Sequence, residues 1–342
     1  MCAEVRRFWL TLDHAPTGPY NWRVARLLSL LILLVSLQAL PAAGQSAGSS
    51  FIRAEDYRIA DVGFRIAHQG LTLCRRTAPA AGLLLHHLGE YAVADRVDAV
   101  ARFGLDRGPG VLAVVANSPA AHAGLRAGDV LLTANDTPFS YAPDKDDEGR
   151  EDAARLGIEA LERRLQAQLA AGPVRLALLR EGRPAAATLA AVPGCAARVR
   201  LARSNQLNAF ARRGYAIMTT RLLDFLESDD ELAIVLGHEM AHVILDHPEQ
   251  LDAAGVPRGL LRHFGKNASR VKATEIEADR LGLRLAWAAG YDISAAVPFW
   301  RRYAGRAGSA FATTHPGLKA REKIIAETIA ELGASQRSAQ RP

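Results

Sequence analysis

The segment Glu231–Asp246 is the feature that most constrains how this chain can fold. Its apolar residues recur at helical spacing: Leu232, Val235, Leu236 and Val243. The preceding Ser228-Asp229-Asp230-Glu231 has the form of a capping box. In that motif the Ser228 hydroxyl accepts a hydrogen bond from the N–H of Glu231, whose side chain reaches back. The sequence therefore predicts a helix that starts at this point.

This helix carries the pattern His238-Glu239-Met240-Ala241-His242. Histidines at i and i+4 project from one helix face, with Cβ atoms about 5–6 Å apart. That separation lets both rings bind one tetrahedral Zn²⁺. Glu239 lies beside the two ligands, where its carboxylate can take a proton from water at the metal. We therefore expect one Zn²⁺ per chain.

A catalytic zinc keeps three protein ligands and one open position, so a third ligand is required. His247 is close in sequence, but it lies one residue short of the spacing in His-x-x-Gly-x-x-His. Leu245 also stands where that pattern has glycine. We therefore do not expect His247 to bind the metal.

A second predicted helix starts with Glu275-Ile276-Glu277-Ala278-Asp279 and runs to Ala289. Glu275 and Asp279 share one face at i, i+4, and Glu277 points away from both. Glu275 can therefore bind the metal. One turn further on, Asp279 can accept a hydrogen bond from the far ring nitrogen of a zinc-binding histidine.

The letters HEMAH and EIEAD resemble the zinc endopeptidase family that includes HtpX, BepA and the CAAX prenyl protease. The resemblance covers roughly residues 200–330 and implies that Glu275 is the third ligand. The segment LNAFARRGYAIMTTRLL resembles the strand that precedes the zinc helix in that family. Asn208 and Ala209 then lie where a strand edge pairs with an extended substrate. This chain lacks the hydrophobic spans of the membrane members, which favours clients that are soluble or at a membrane surface.

The segment THPGLKAR resembles a late Thr-His-Pro segment of the same family. By resemblance His315 lies over the metal, where it stabilises the developing oxyanion or occupies the open position in a resting state. A cap on the helix that Pro316 starts is the alternative role for His315. The other histidines have no ligand-like spacing and are expected to be surface or packed residues: His14, His68, His86, His87, His122 and His263.

The segment VLAVVANSPAAHAGLRAGDVLLTANDTPF resembles the middle of a PDZ domain from exported bacterial proteases. Gly124 and Gly128 suit the tight turns on either side of a short helix. The resemblance implies that Phe103, Gly104 and Leu105 form the loop whose backbone N–H groups receive a peptide's C-terminal carboxylate. A PDZ fold that only packs against its neighbour is the alternative.

Secondary structure is also predicted around this module. Alternation in Gly63-Phe64-Arg65-Ile66 predicts a strand, and so do the apolar stretches Leu71–Leu73 and Gly82–Leu85. We expect helices at Ala92–Arg102 and Ala153–Ala171. Two strands, Val174–Arg180 and Ala186–Val192, are expected to complete the module.

An apolar run, Leu27–Leu40, follows Arg23 and Arg26 and precedes small residues. Its length suits a cleaved secretory signal, with cleavage before Gln45, and an uncleaved N-terminal membrane anchor is the alternative. Both imply export, and the predicted location is periplasmic. In an oxidising compartment Cys74 and Cys195 are expected to form a disulfide, with two buried thiols as the alternative.

Composition excludes several classes of protein. The chain has 342 residues, of which 49% are hydrophobic and 23% charged, so it is too polar for a multi-span membrane enzyme. The formal charge is +6 and the basic residues form no runs, so no nucleic-acid partner is expected. The chain has no Gly-x-Ser-x-Gly elbow, which speaks against a serine hydrolase.

The predicted fold class is α+β, with a mainly helical zincin-type metallopeptidase domain preceded by a PDZ-like β-barrel module. The predicted boundaries are residues 1–44 for the leader, 45–99 for an N-terminal extension, 100–195 for the PDZ-like domain, 196–333 for the peptidase domain and 334–342 for a disordered tail. The expected function is an exported zinc endopeptidase acting on unfolded or misassembled proteins. A peptide-binding chaperone with a closed or structural zinc site is the alternative, and the oligomeric state stays open.

Overall fold

The computed structural model describes residues 47–139, 151–257, 265–307 and 317–339. The predicted leader and His315 lie outside these residues. Among the helices that the structure describes, none combines the length and the apolar character needed to cross a bilayer.

The first element is α1, Ala47–Gln69, so the strand expected at Gly63–Ile66 is wrong. Ile59, Val62 and Ile66 are buried on one face of α1 and join the core of the C-terminal half of the chain. Spacings of three and four residues are helical, and the short alternation at 63–66 falls within that longer pattern. The stretch Leu71–Leu73, also expected as a strand, is a single 3₁₀ turn.

A PDZ-like module follows α1. It contains β1 (Thr77–Ala80), β2 (Leu83–His86), α2 (Arg96–Phe103), β3 (Gly110–Val114), α3 (Pro119–His122), β4 (Val130–Ala134), β5 (Thr137–Pro138), α4 (Glu151–Ala171), β6 (Val174–Arg180) and β7 (Arg183–Leu189). The main sheet is antiparallel, in the order β2-β3-β4-β6-β7, and β5 pairs with β4. Its core includes Leu85, Leu131 and Leu176 from the strands and Ile158 and Leu165 from α4.

The two ends of the module meet. β8 (Val192–Cys195) pairs antiparallel with β1, in a register that places Thr77 opposite Cys195. A disulfide joins Cys74 to Cys195 across a sequence separation of 121 residues, which is the pairing the sequence predicts. The chain therefore leaves α1 and returns after the module at almost the same point.

The remaining chain forms a small sheet and a group of helices. The elements are β9 (Arg198–Ala202), β10 (Ala209–Arg212), β11 (Tyr215–Thr219), α5 (Thr220–Phe225), α6 (Asp229–Ile244), α7 (His247–Ala253), α8 (Gly265–Ala288), α9 (Ala296–Ala307) and α10 (Leu318–Ala339). The sheet order is β10-β11-β9, with β11 parallel to β9 and antiparallel to β10. Met218 of β11, Leu236 of α6 and Leu285 of α8 lie in one buried core.

Helices α6 and α8 approach each other closely where two glycines meet. A Cβ atom added to Gly237 would lie 2.6 Å from the Gly282 carbonyl oxygen, and one added to Gly282 would lie 2.6 Å from the His238 nitrogen. Only glycine on both helices therefore allows this separation of the two backbones. Because α6 carries His238 and α8 carries Glu275, this contact sets the distance between them.

Buried charges connect the PDZ-like module to the C-terminal half. Arg200 of β9 donates to Glu90 at 2.6 Å and to Glu162 of α4 at 2.7 Å, and the Tyr215 hydroxyl also bonds Glu162. Burial and the nearby Glu162 carboxylate raise the pKa of Tyr215, which keeps its hydroxyl protonated as a donor. A buried charge needs such partners to be tolerated, so these contacts specify how the two parts pack.

Candidate metal centre

Three ligand atoms converge between α6 and α8. The Nε2 atoms of His238 and His242 are 3.2 Å apart, and each lies 3.5 Å from an oxygen of Glu275. All three potential ligand atoms fall within 4.8 Å of one another. Two imidazole nitrogens and one carboxylate oxygen are a donor set typical of catalytic zinc. The three residues that the sequence indicates therefore fit one Zn²⁺ ion.

Local sequence explains why α6 presents both histidines. The Ser228 hydroxyl accepts the N–H of Glu231 at 3.2 Å, as the capping pattern predicts. The second half of the capping box differs from the prediction. The Glu231 carboxylate accepts a hydrogen bond from the N–H of Glu227 at 2.8 Å and pairs with Arg302 at 2.7 Å. The helix is capped and also anchored to α9, and its histidines point to the side where α8 lies.

Asp279 supports the first ligand. Its Oδ1 lies 2.9 Å from Nδ1 of His238, the arrangement expected from a spacing of one helical turn after Glu275. Burial alone would lower the pKa of His238, but the Asp279 and Glu275 carboxylates outweigh it and raise that pKa to about 10, so a metal ion binds at Nε2 by displacing a proton. An acceptor at Nδ1 leaves Nε2 free to face the metal.

Arg321 of α10 neutralises this acidic cluster. It is fully buried, pairs with Asp279 at 2.9 Å and with Glu275 at 3.4 Å, and stacks 3.9 Å from the centre of the Trp300 ring. Burial by itself would raise the pKa of Asp279, but Arg321 and His238 hold it below its usual value. The Asp279 carboxylate therefore stays ionised inside the protein.

Glu239 is the acidic side chain next to the ligands, and it is buried with only 6% of its surface exposed. Burial raises the pKa of its carboxyl to about 7, against the opposing effect of His238. A carboxylate with a pKa near neutrality can both accept and return a proton. Zinc held in a purely structural role does not require such a group.

His247 contacts the second ligand without being a ligand itself, as the sequence spacing indicates. Its Nδ1 lies 2.9 Å from Nδ1 of His242, and its Nε2 lies 3.2 Å from Oε2 of Glu277. His247 is fully buried, whereas the Glu277 side chain is 62% exposed. Glu277 points away from Glu275, as expected, but it reaches His247.

Asn208 and Ala209 lie at the start of β10, at one edge of the small sheet. Asn208 is held in place by Thr219, whose hydroxyl donates to its carbonyl at 2.8 Å. β10 packs against α6, the helix that carries both histidines. Substrate pairing along this edge stays a prediction, and so does each role of His315, which lies outside the described residues.

The structure separates Phe103, Gly104 and Leu105 from the groove of the PDZ-like module. Phe103 ends α2, and Gly104 terminates that helix in the left-handed conformation with φ 64°. The apolar groove instead runs between β2 and α4, and its lining includes Gly82, Leu83 and Leu165. The segment before β2, and not the predicted loop at residues 103–105, therefore lies at the end of this groove.

Fold and site together combine a PDZ-like module with a domain whose donor set is typical of catalytic zinc. Comparison with protein families agrees. Residues 178–258 and 254–329 match the model for Peptidase family M48, and residues 110–163 match that for the PDZ domain.

Comparison with individual proteins gives a narrower match than comparison with families. The chain is 31% identical over 148 residues to mitochondrial metalloendopeptidase OMA1 of Schizosaccharomyces pombe, which covers 36% of this chain and 44% of that protein. It is 30% identical over 145 residues to the OMA1 protein of Arabidopsis thaliana, covering 35% of this chain and 29% of that one. The chain thus spans less than half the length of these relatives. The resemblance to HtpX and BepA is correct at the level of zinc metallopeptidases, but the relatives found are OMA1 proteins.

The sequence does not predict the contacts that Arg321, His247 and Glu277 make around the ligands. The segment THPGLKAR places Arg321 five residues after Pro316, but its spacing does not show that this guanidinium faces Asp279 and Glu275. The sequence spacing of His247 speaks only to whether it can bind the metal, not to a contact with His242. Its position five residues after His242 carries no periodic signal, because the chain turns between α6 and α7.

Proposed function

We propose that this protein is a zinc metalloendopeptidase that hydrolyses peptide bonds. The observation that carries the proposal is the buried Glu239 carboxylate beside the converging His238, His242 and Glu275. When bound there, zinc supplies Lewis-acid chemistry that lowers the pKa of water and polarises the scissile carbonyl.

The side chains of the protein carry out the proton transfers and hold the ligands in position. Glu239 accepts the proton of the attacking water and delivers it to the leaving amine. Burial favours the protonated form of this carboxyl, which supports the return of the proton to the leaving amine. Asp279 keeps His238 in the tautomer that presents Nε2, and Arg321 keeps Asp279 ionised.

A substrate strand is proposed to pair with β10. Among the described residues β10 is an edge strand of the small sheet, so one side of it is proposed to accept β-augmentation, and α6 packs beside it. An extended, unfolded segment of a client fits this edge, whereas a folded domain does not offer its backbone. This favours unfolded or misassembled proteins as the substrate class.

The central experiment compares the wild type with Glu239→Gln and a matched control, Glu249→Gln. Each purified protein is assayed for zinc content and for cleavage of a casein-type substrate. We expect all three to bind one zinc, and only Glu239→Gln to lose cleavage, by about 10²–10⁴-fold. Full activity of Glu239→Gln would refute the proposed mechanism. Zinc binding without cleavage by the wild type would favour the chaperone alternative.

The PDZ module is further proposed to capture the C-termini of clients in the groove between β2 and α4. β2 is an edge strand of its sheet, as strand addition requires. The cavity there holds only about 140 Å³, and Phe64 of α1 and Val199 of β9 line its other side. Ligand pockets usually measure about 300–1,000 Å³. A captured peptide must therefore displace the contact between β9 and the groove.

Capture is tested by binding of two labelled peptides that differ only at the C-terminus. The Glu239→Gln variant prevents their cleavage during the measurement. One peptide ends in a free carboxylate and the other in an amide. We expect the peptide with the free carboxylate to bind more tightly, as measured by fluorescence anisotropy. Equal affinities would mean that the module only packs against its neighbour.

An exported, periplasmic location is also proposed. The apolar run at Leu27–Leu40 supports it, and so does the disulfide between Cys74 and Cys195, because such bonds persist in oxidising compartments. Cell fractionation with thiol counting by mass spectrometry tests the location. Two free thiols at these positions in protein from its native compartment would contradict it.

A further inference from the structure

The second zinc ligand, His242, differs from the first in what contacts its far ring nitrogen. Nδ1 of His238 faces the buried carboxylate of Asp279, whereas Nδ1 of His242 faces another imidazole, that of His247, at 2.9 Å. The far nitrogen of His247 in turn faces the Glu277 carboxylate at 3.2 Å. The side chains of His242, His247 and Glu277 form a continuous line of three groups from the metal centre to the protein surface.

The chemistry of these groups fixes where the protons lie. An ionised carboxylate only accepts hydrogen bonds, so the nitrogen of His247 that faces Glu277 must carry a proton. A neutral imidazole has one N–H, which leaves Nδ1 of His247 as an acceptor. Nδ1 of His242 must then be the donor, and its Nε2 keeps the lone pair that a metal requires.

The local fold places His247 for this contact. α6 ends at Ile244, and Asp246 adopts the left-handed conformation with φ 55°, so the chain reverses and α7 begins at His247. Asp246 is held by an ion pair with Arg76, near the disulfide. The ring of His247 is thereby packed at an angle of 76° against that of His242, with ring centres 4.9 Å apart.

We propose that His247 and Glu277 are positioning residues that set the tautomer and orientation of His242, and so tune the affinity of the site for zinc. Neither residue touches the metal or the substrate. The inference rests on the proposed zinc site, but not on peptidase activity. It assigns a chemical role to a residue whose two ring nitrogens are both engaged away from the metal.

Zinc affinity tests the proposal directly. The full chain is stripped of metal and titrated with Zn²⁺ in competition with a chromophoric chelator. His247→Leu removes the acceptor and is expected to weaken binding by about 10–100-fold. His247→Asn keeps an oxygen near the position of Nδ1 and should stay within about threefold of wild type, since that oxygen can accept the same hydrogen bond.

Matched controls separate this role from general damage. His122→Leu changes an exposed histidine of α3, and Glu249→Gln changes an exposed acid of α7. Both should bind zinc like the wild type, whereas Glu277→Gln should lose affinity by up to about tenfold. Thermal unfolding of the metal-free proteins shows which variants are folded. If His247→Leu does not fold, the comparison of Glu277→Gln with Glu249→Gln decides.

The tautomer itself provides a second readout. Imidazole ¹⁵N chemical shifts of the wild type should show His247 protonated at Nε2. A proton at Nδ1 of His247 would overturn the proposal, and so would equal zinc affinities of His247→Leu and His247→Asn. A wild type that binds zinc but cleaves nothing would refute the peptidase function and leave this inference standing.

Discussion

The close approach of α6 and α8 predicts how a single methyl group can weaken the metal centre. In Gly237→Ala the new Cβ lies 2.6 Å from the Gly282 carbonyl oxygen, about 0.8 Å inside the 3.4 Å at which ordinary contacts begin. The obstacle is backbone, which cannot rotate away as a side chain would. The two helices must therefore separate.

The free energy of unfolding and the zinc affinity should respond differently to Gly237→Ala. Overpacking costs about 1–3 kcal/mol, while alanine in place of a helical glycine returns up to about 1 kcal/mol. We therefore expect the free energy of unfolding to fall by about 0–3 kcal/mol. A shift of about 0.8 Å between His238 and Glu275 exceeds several-fold the tolerance of about 0.2 Å for metal–ligand distances, so zinc affinity should fall at least tenfold.

The assay combines urea unfolding of the metal-free protein with zinc titration against a chelator. Gly305→Ala is the matched control, because Gly305 lies in α9 with nothing within 4 Å of an added Cβ. It should gain up to about 1 kcal/mol and bind zinc unchanged. Gly282→Ala should behave like Gly237→Ala. A folded Gly237→Ala protein with wild-type zinc affinity would refute the reasoning.

Three further predictions concern buried charges and the disulfide. Arg321→Gln removes the buried cation that pairs with both Asp279 and Glu275, so urea unfolding of the metal-free protein should show a loss of about 3–5 kcal/mol; a loss under 1 kcal/mol would contradict this. Burial raises the pKa of Asp56 to about 6 in the folded protein. The folded state therefore binds this proton more tightly than the unfolded chain does, which stabilises the fold by about 3 kcal/mol below about pH 4. This contribution disappears as the pH rises through 6. Asp56→Asn should lack that part of the pH dependence, and parallel pH profiles of wild type and variant would speak against it. Replacing both Cys74 and Cys195 by Ser should lower unfolding free energy by about 2–5 kcal/mol, and no change on replacement would show that the link does not constrain the unfolded chain.

Most of the metal centre could be predicted from sequence because its spacing is local. His238 and His242 are one turn apart on a helix with a strong start signal, and Glu275 and Asp279 repeat that spacing on another helix. Once the two helices are paired, the four side chains have few ways to meet. The disulfide could be predicted equally well, because Cys74 and Cys195 are the two cysteines that follow the predicted leader.

The predictions from sequence are wrong where long-range packing determines the local structure. Residues 63–66 alternate like a strand, yet Gly63 lies against Val199, more than a hundred residues later, and α1 buries its apolar face in the C-terminal core. The assignment of Phe103–Leu105 to a carboxylate-binding loop failed for a related reason. That loop is defined by the strand after it and the helix beside it, and only the sheet order shows that this strand is β2.

The disulfide between Cys74 and Cys195 has a mechanical consequence. A force applied to α1 and to the small sheet passes through the sulfur atoms, so the enclosed residues 75–194 carry no load. The PDZ module stays folded while the flanking chain is extended. A single backbone cut inside the module also leaves both fragments covalently joined, so the two halves of the protein remain together after such damage.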